Sequence, residues 1–353
     1  MKEIIQAFGF EEKLAIIEKY GTGLINSTWT INYENEKYIL QKVNTNVFQQ
    51  PELIAENLIT LYSFFKTKFP NHLFTAPLRT LSGEYLYKTV SKDYYRLFAF
   101  VENSKAIDVV QNSNQAINAS AAFGKFTHLL SEFDSSTLNI SIPNFHNLSL
   151  RYEQFETSIL NSSLERKIQS KEAIDYLISQ KDIVNIFEQI KYNSNFELRV
   201  THHDTKISNV LFDKNDECLC VIDLDTVMPG YFFSDVGDMM RTYLSPANEE
   251  ENDFNKIIVR EDYFKSIVEG YLNEMRNDLS SDELNHFAYA GEFMIYMQAL
   301  RFLSDYLNND IYYGAKYENH NFIRATNQIN LLQKFQSKKE TFNSLIKSFL
   351  SNQ

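Results

Sequence analysis

The sequence predicts an α+β protein of two lobes: a small β-rich N-terminal lobe and a larger, mainly helical C-terminal lobe. Strand-like runs dominate the first hundred residues, and helical spacing of apolar residues dominates from there onward. The chain has 353 residues, 44% of them apolar. That length suits about two domain-sized units, and that apolar fraction suits packed cores. We therefore place the lobes at residues 1–100 and 101–353.

The N-lobe is predicted to hold a five-stranded sheet and one helix, in the order β-β-β-α-β-β. The predicted strands cover residues 15–20, 27–33, 38–43, 84–88 and 94–101. Pro51 is expected to open the helix, since proline is favoured in the first turn, and the helix should run to about residue 66. Its apolar residues at helical spacing should face the sheet: Ile54, Leu58, Leu61 and Phe65.

The C-lobe is predicted to be helical with a few short strands. The predicted helices cover residues 117–133, 152–168, 171–192, 260–275 and 286–307. The predicted strands cover residues 198–200, 210–212 and 218–222. A ligand is expected in the cleft between the two lobes.

Composition excludes several classes of protein. A net charge of −12 argues against a nucleic-acid or anionic-membrane surface. No run of 18 apolar residues occurs, which predicts no membrane span, and the charged N-terminal segment predicts no signal peptide. The two cysteines, Cys218 and Cys220, are predicted to be buried strand residues. We expect a cytoplasmic protein that is a monomer or weak homodimer, with no nucleic-acid partner and no membrane.

The most informative stretch is His-His-Asp-Thr-Lys-Ile-Ser-Asn at residues 202–209, followed by Asp223 at the end of an apolar strand. Phosphoryl transfer from a nucleotide needs this layout. Asp204 would orient the attacking hydroxyl and receive its proton, and Lys206 would neutralise charge on the moving phosphoryl group. Asn209 and Asp223 would supply hard oxygen ligands for Mg²⁺.

The stretch also fits the kinase catalytic loop H-R-D-L-x-x-x-N, with His203 in the Arg position and Thr205 in the Leu position. The loop pattern alone arises by chance fairly often, but its coupling to a following strand that ends in Asp223 removes most accidental matches. The alternative is a loop in which Asp204 and Asn209 only make turn or capping hydrogen bonds.

A glycine-containing segment, GTGLINST at residues 21–28, lies between the first two predicted strands. Gly21 and Gly23 would let backbone N–H groups approach phosphate closely, and the side chains of Asn26, Ser27 and Thr28 would add polar contacts. The alternative is an ordinary hairpin turn.

The third strand carries Gln41 and Lys42 where a nucleotide kinase usually has a basic residue for the α- and β-phosphates. Alternation along a strand puts the two side chains on opposite faces, so only one can point into the cleft. The expected register places the neutral Gln41 there. Glu52 or Glu56 would be the partner of an inward lysine; otherwise both lie on a solvated helix face.

Four further positions have two interpretations or a supporting role. Asp235 is interpreted as a helix-start residue that supports the catalytic loop, and His202 as a brace of the same loop. Asp225 either assists the metal or binds backbone N–H groups. Arg301, on a mostly apolar helix, either forms a structural ion pair or contacts an anion or a sugar.

These residues resemble the aminoglycoside phosphotransferase/choline kinase superfamily, which has a protein-kinase-like fold. More closely, the chain resembles the N-acetylhexosamine 1-kinases. The resemblance rests on YILQKVNTNVF at 38–48, THHDTKISN at 201–209, CVIDLDTVMPG at 220–230, SDVGD at 234–238 and RFLSDYL at 301–307. These segments are spread over nearly the whole chain, and the one at 220–230 is the most discriminating for the sugar kinases.

The resemblance implies roles for individual residues. Asp204 would be the catalytic base and Lys206 a contact of the transferring phosphate, with Asn209 and Asp223 binding Mg²⁺. The strand end at residues 98–101 would lead into a hinge whose backbone, at Phe100 and Val101, holds adenine. Arg301 would lie near the substrate.

The family uses ATP to phosphorylate the anomeric hydroxyl of N-acetylglucosamine or N-acetylgalactosamine. The sequence thus predicts an ATP- and Mg²⁺-dependent phosphotransferase with an alcohol acceptor, yielding a sugar 1-phosphate. One alternative is a kinase of the same superfamily for choline, another amino alcohol or an aminoglycoside. The other is a nucleotide-binding pseudokinase, supported only by the missing basic residue at position 41.

Overall fold

The computed structural model describes residues 1–21 and 25–351. It has a mixed α+β fold, with a small antiparallel sheet near the N-terminus and a larger helical part after it. The strand order in the sheet is β1-β2-β3-β5-β4, and every neighbouring pair is antiparallel. These strands are β1 (Ala15–Lys19), β2 (Ser27–Tyr33), β3 (Glu36–Val43), β4 (Tyr87–Lys88) and β5 (Tyr94–Ala99).

The sheet contains the five predicted strands, although β4 covers only residues 87–88 of the predicted 84–88. The sequence analysis missed a helix. Helix α1 (Lys2–Ala7) places Ile4 and Ile5 on one face of the sheet, where they pack in a cluster with Leu40 and Leu97. The prediction of a single helix in this part of the chain was therefore wrong. A six-residue helix is too short to show a clear apolar period, and it is stable because it covers the sheet.

Helix α2 (Pro51–Lys68) begins at the predicted proline and closes the other side of the sheet. The four apolar residues predicted to face the sheet are all buried, and they join the main core of the protein. On the same helix, Asn57 donates a hydrogen bond to the carbonyl of Asn139 (2.8 Å) and a longer one to Val227 (3.4 Å). These bonds tie α2 to the helical part of the chain.

The helical part contains more helices than predicted. They are α3 (Ser113–Leu129), α4 (Leu148–Asn161), α5 (Leu164–Gln169), α6 (Lys171–Ser179), α7 (Asp182–Lys191), α8 (Phe232–Tyr243), α9 (Glu261–Met275), α10 (Ser281–Asn285), α11 (Tyr289–Leu307), α12 (His320–Gln336) and α13 (Lys339–Ser351). Two predicted long helices, 152–168 and 171–192, are each two helices. The first breaks at Ser162, and the Ser163 hydroxyl then caps α5 by accepting a hydrogen bond from the Arg166 N–H.

Two short strand pairs flank the motif residues. Strand β6 (Arg199–Thr201) pairs with β9 (Met228–Gly230), and β7 (Val210–Phe212) pairs with β8 (Cys218–Val221). Helix α11 lies at the centre of the core and is buried along nearly its whole length. Within the described residues, no helix is both long and apolar enough to cross a bilayer.

Candidate active site

A buried aspartate fixes the loop that follows β6. The Asp235 carboxylate accepts hydrogen bonds from the backbone N–H groups of His202 (2.9 Å) and His203 (2.7 Å). Its carbonyl accepts another from the Thr205 hydroxyl (2.7 Å). Burial raises the pKa of Asp235 to about 7, while the two N–H bonds act in the opposite direction. Asp235 is therefore a support of the loop, and it is not the cap of α8, which begins at Phe232.

The loop turns sharply at His203, where φ is +65°. A non-glycine residue rarely adopts this left-handed conformation, so the surrounding contacts must stabilise it. Gly230 at the end of β9 makes room for the His203 ring: a β carbon there would lie 2.3 Å from Nε2 of His203 and 2.4 Å from the Thr201 hydroxyl. Burial lowers the pKa of His203 to about 4, so the ring is neutral at neutral pH.

Three predicted residues meet at one carboxylate oxygen. Oδ2 of Asp204 lies 3.0 Å from Nζ of Lys206 and accepts a 3.0 Å hydrogen bond from Nδ2 of Asn209. Asn209 is buried and also bonds the Asp204 carbonyl (2.8 Å). The Asp204 side chain stays 26% exposed, so it remains accessible to a substrate.

Charge balance around Lys206 favours its cationic form. Partial burial works against the charge, but the carboxylates of Asp204 and Asp223 outweigh it, and the net effect raises the pKa of Lys206. The ammonium group therefore stays protonated beside the carboxylate that would serve as the base.

Asp223 follows β8 and has the left-handed conformation, with φ of +60°. No hydrogen bond or ion pair engages its carboxylate among the described residues. Enclosure by the protein raises the pKa of Asp223, and the carboxylates of Asp225 and Asp204 act in the same direction. Asp223 is also open to solvent, so a ligand can reach its carboxylate.

These residues suit a divalent cation whose remaining ligands come from phosphate. Both hydrogen bonds of the Asn209 amide use Nδ2 and leave Oδ1 for another contact, and Asp223 is unpaired beside two other carboxylates. Among residues 1–21 and 25–351, no three His, Cys, Asp or Glu side chains form a ready-made metal cluster. Mg²⁺ needs no such cluster, since it keeps several waters and uses one or two carboxylates plus substrate phosphates.

Gln41 and Lys42 point in opposite directions. The Gln41 side chain lies beside Thr28 and accepts two hydrogen bonds from Arg96, whose other partner is Asp225. Lys42 instead pairs with Asp93 at 2.9 Å, and each of those two side chains is 37% exposed. Gln41 is thus the member of the pair that connects, through Arg96, to the turn after β8.

Two expectations about nearby carboxylates need correction. Asp225 is 2% exposed and is bonded by the side chains of Arg96 and Asn26, so it is not free for a metal. No backbone N–H group of residues 1–21 or 25–351 bonds its carboxylate. Glu52 accepts a hydrogen bond from the Tyr94 hydroxyl and Glu56 accepts one from Asn139. Neither glutamate is the partner of Lys42, which pairs with Asp93 instead. Both glutamates are exposed on α2, in agreement with the alternative of a solvated helix face.

The glycine-containing segment at residues 21–28, called the lid segment below, is only partly described. Gly23 lies outside the described residues. Gly21 has φ of +73°, which accounts for glycine at that position. Asn26 bonds the Asp225 carboxylate (2.8 Å) and accepts a bond from the Asn44 N–H (3.0 Å). Ser27 and Thr28 begin β2, with Thr28 opposite Gln41 in the sheet register.

The predicted hinge follows β5 directly. The Phe100 N–H donates to the Lys37 carbonyl (3.0 Å), and the Val101 carbonyl accepts the Ser104 hydroxyl (2.6 Å). The Val101 N–H has no hydrogen-bond partner in the described part of the chain and remains available. A cavity of about 610 Å³ adjoins this segment and is also lined by residues 73–79. Neither Thr28 nor Gln41 lines this cavity.

Arg301 belongs to a group of basic and aromatic side chains on the other side of His203. Its guanidinium lies 5.7 Å from the ring centre of Phe145 and 5.5 Å from that of Tyr313. The His146 ring stacks on Phe145 and meets the His203 ring edge-on at 5.1 Å. Arg301 is therefore linked to the residue before Asp204 by a short series of ring contacts.

This group carries positive charge without matching carboxylates. Burial, and then the charge of Arg301, lower the pKa of Arg151. Neither arginine has an ion-pair partner among the described residues, which removes the structural ion pair predicted as one alternative for Arg301. Nε of Arg151 and Nδ1 of His146 are buried without hydrogen-bond partners in the same set of residues. The group thus places positive charge beside the catalytic loop.

Sequence reasoning missed Arg96, His146 and Arg151. An arginine inside the strand-like run YYRLFA was a usable signal, because a buried arginine must be paired. The other two residues gave no signal, since they lie at the irregular segment before α4 and at its start, far in sequence from the catalytic loop.

A model of the phosphotransferase enzyme family matches residues 16–255, which is more than half of the chain. The chain belongs to this family. It is therefore a phosphotransferase.

Solved structures of several kinases and phosphotransferases share the fold. A microcompartment-associated aminopropanol kinase has a TM-score of 0.63 at 13% identity, covering 97% of both chains. An aminoglycoside phosphotransferase from Alicyclobacillus acidocaldarius has a TM-score of 0.62 at 12% identity, covering 99% of this chain and 96% of its own. A choline kinase from Cryptosporidium parvum has a TM-score of 0.54 at 14% identity, covering 99% of both. At these identities the likeness establishes the fold of this phosphotransferase and not its substrate.

Proposed function

We propose that this phosphotransferase uses ATP and Mg²⁺ to phosphorylate the anomeric hydroxyl of an N-acetylhexosamine. The observation that carries the transfer chemistry is the meeting of Lys206 and Asn209 at Oδ2 of Asp204, with the unpaired Asp223 nearby. General base, charge neutralisation and two hard oxygen ligands are the parts that phosphoryl transfer requires.

In this proposal Asp204 binds the acceptor hydroxyl and takes its proton as the hydroxyl oxygen attacks phosphorus. Lys206, fixed beside that carboxylate, balances negative charge on the transferring group. Asn209 and Asp223 would hold the divalent ion, which when bound neutralises phosphate charge. An anomeric hydroxyl is more acidic than an ordinary alcohol, so a carboxylate is an adequate base.

The basic group around Arg301 supports a neutral sugar over a cationic acceptor. Choline, amino alcohols and aminoglycosides carry positive charge, which Arg151 and Arg301 would repel in a partly buried site. A sugar with an acetamide group has several hydroxyls and a carbonyl that can accept hydrogen bonds from these donors. The neighbouring His146 and His203 are neutral at neutral pH, and so can also bond uncharged groups.

The test is a substrate screen with ATP and Mg²⁺. We expect N-acetylglucosamine or N-acetylgalactosamine to have a higher kcat/KM than glucose or galactose, because a site that bonds the acetamide leaves polar groups unpaired without it. Phosphorus NMR should place the phosphate at C1. The methyl glycoside, with its anomeric oxygen blocked, should not react.

Variants distinguish binding of the acceptor from binding of ATP. Arg301→Met should raise KM for the sugar at least about tenfold, the scale of a lost bond to a charged group, and leave KM for ATP unchanged. Lys171→Met, at an exposed position on α6, is the control. Efficient phosphorylation of choline or an aminoglycoside would overturn the sugar assignment, and no turnover with any acceptor despite ATP binding would favour a pseudokinase.

A further inference from the structure

The only guanidinium among the described residues that contacts both β3 and the turn after β8 belongs to Arg96. On β5, Arg96 stands directly opposite Gln41 in the register of the sheet. It is 3% exposed. Its Nη1 and Nη2 donate to the two oxygens of Asp225 at 2.5 and 2.8 Å, a bidentate pair. Its Nε and Nη2 donate to Oε1 of Gln41 at 3.0 and 2.8 Å.

These contacts leave Arg96 little capacity for a ligand. A guanidinium has five N–H donors, and four of them are engaged. The group is also closed off from solvent, with a side-chain exposure of 4%. A phosphate could reach it only if the pair with Asp225 opened. Arg96 therefore does not simply replace the missing basic residue of β3 as a phosphate contact.

Asp225 receives a third bond from the segment that precedes β2. Oδ2 of Asp225 accepts a 2.8 Å hydrogen bond from Asn26, which is in turn bonded by the Asn44 N–H just after β3. A single buried carboxylate thus joins the lid segment, strands β3 and β5, and the turn after β8. That turn spans Leu224–Thr226 and begins from Asp223, the candidate metal ligand.

We propose that Arg96 is a positioning residue: by holding Asp225, it sets the turn that presents Asp223 to the metal and aligns the Asn26 segment with it. Gln41 has the matching role of orienting the guanidinium from the neighbouring strand. This inference rests on the proposed use of a nucleotide and a divalent metal. Residues that orient a metal ligand without touching the metal typically change metal affinity or activity by about 10- to 100-fold.

The test measures metal binding directly. Mn²⁺ serves as the paramagnetic probe, and its binding to the protein–ATP complex is followed by electron paramagnetic resonance, alongside ATP affinity in EDTA. Arg96→Lys and Arg96→Met should weaken Mn²⁺ binding at least about tenfold, the methionine variant more than the lysine variant. The affinity for ATP in EDTA should change less than about threefold, which means that the free energy of nucleotide binding is nearly unaltered. Lys42→Met, on the opposite face of β3, is the matched control and should change neither.

Each other outcome has a defined meaning. Equal losses of Mn²⁺ and metal-free ATP binding would overturn the proposal in favour of direct nucleotide contact, and unchanged Mn²⁺ binding in a folded variant would overturn it outright. If the Arg96 variants fail to fold, Asn26→Ala tests the proposal instead, because it keeps the ion pair between Arg96 and Asp225. This variant should weaken Mn²⁺ binding measurably. Binding as tight as in the wild-type protein would refute the proposal. Failure of the wild-type chain to bind ATP or Mn²⁺ would instead refute the proposed function.

Discussion

Oδ2 of Asp204 is held between an ammonium group and an amide, and this oxygen is where the chemistry is predicted to begin. Asp204→Asn should lower kcat by about a hundredfold or more, the scale of a positioned acid–base group, while ATP still binds. Steady-state kinetics and a nucleotide-binding measurement together check this. Asp175→Asn, at an exposed position on α6, is the control. Near-normal turnover of the Asp204 variant would mean that the base is another residue.

Substitutions of Asp223 and Asn209 should have different effects on the Mg²⁺ dependence of the reaction. Asp223→Ala is expected to abolish metal-dependent turnover, because it removes the unpaired carboxylate. Asn209→Ala is expected to raise the Mg²⁺ concentration for half-maximal rate by about tenfold or more, since Asn209 both bonds Asp204 and offers an oxygen ligand. Rates measured across a range of Mg²⁺ test both variants. Full activity of the wild-type chain in excess EDTA would contradict the metal assignment.

At the residue scale, the sequence could predict what lies within one loop and not what comes from distant segments. Asp204, Lys206 and Asn209 are at most five residues apart, so a single turn brings them together. Arg96 and Asp225 are 129 residues apart, and their pairing depends on how the sheet packs against the rest of the chain. Gly23, predicted to contact phosphate, stays a prediction.

Strand β3 presents different residues to its two faces, and this predicts different effects of mutation. Lys42→Ala should leave KM for ATP within about threefold, because a pair of half-exposed charges contributes little. Gln41→Ala should have the larger effect, since it removes the acceptor of two bonds from Arg96. Initial-rate kinetics over a range of ATP concentrations distinguish them. The reverse order of effects would show that the lysine reaches the nucleotide.

The packing at the end of the β6–β9 pair requires a glycine at position 230. Gly230→Ala would place a methyl group 2.3 Å from the His203 ring, so the ring or the strand must shift. We expect a loss of about 1–3 kcal/mol in the free energy of unfolding, typical of overpacking, together with a lower kcat. Chemical denaturation and kinetics measure the two effects, with Val90→Ala at a fully exposed position as the control. A stable, fully active variant would mean that the His203 ring is not confined there.

At the scale of elements, the predictions held where the apolar pattern was strong. Helix α2 showed a regular apolar stripe, and its burial is confirmed. The predicted helix 152–168 failed because apolar spacing continues across Ser162 and Ser163, although their local hydrogen bonds end one helix and start another. Helix α12 was missed because its sequence is rich in Asn and Gln, and its position depends on packing against α11.

In the whole molecule, ligand binding should stabilise the fold, because the proposed nucleotide site uses both the sheet and the helical part. ATP with Mg²⁺ at a hundred times its Kd should add about 2.7 kcal/mol to the free energy of unfolding, and EDTA should remove most of that gain. Thermal unfolding monitored with and without each component tests this. An unfolding temperature that does not change when ATP and Mg²⁺ are added would indicate that the chain does not bind the nucleotide.

The contact between Gln41 and Arg96 also constrains how this chain can evolve. Restoring a lysine at position 41, the residue type that nucleotide kinases usually have on this strand, would remove the acceptor of two hydrogen bonds from the buried Arg96 guanidinium and place a second cation beside it. Like charges at that distance in a desolvated site oppose each other. A single mutational step toward the common pattern is therefore unfavourable, and positions 41 and 96 should change together along any lineage that shares this arrangement.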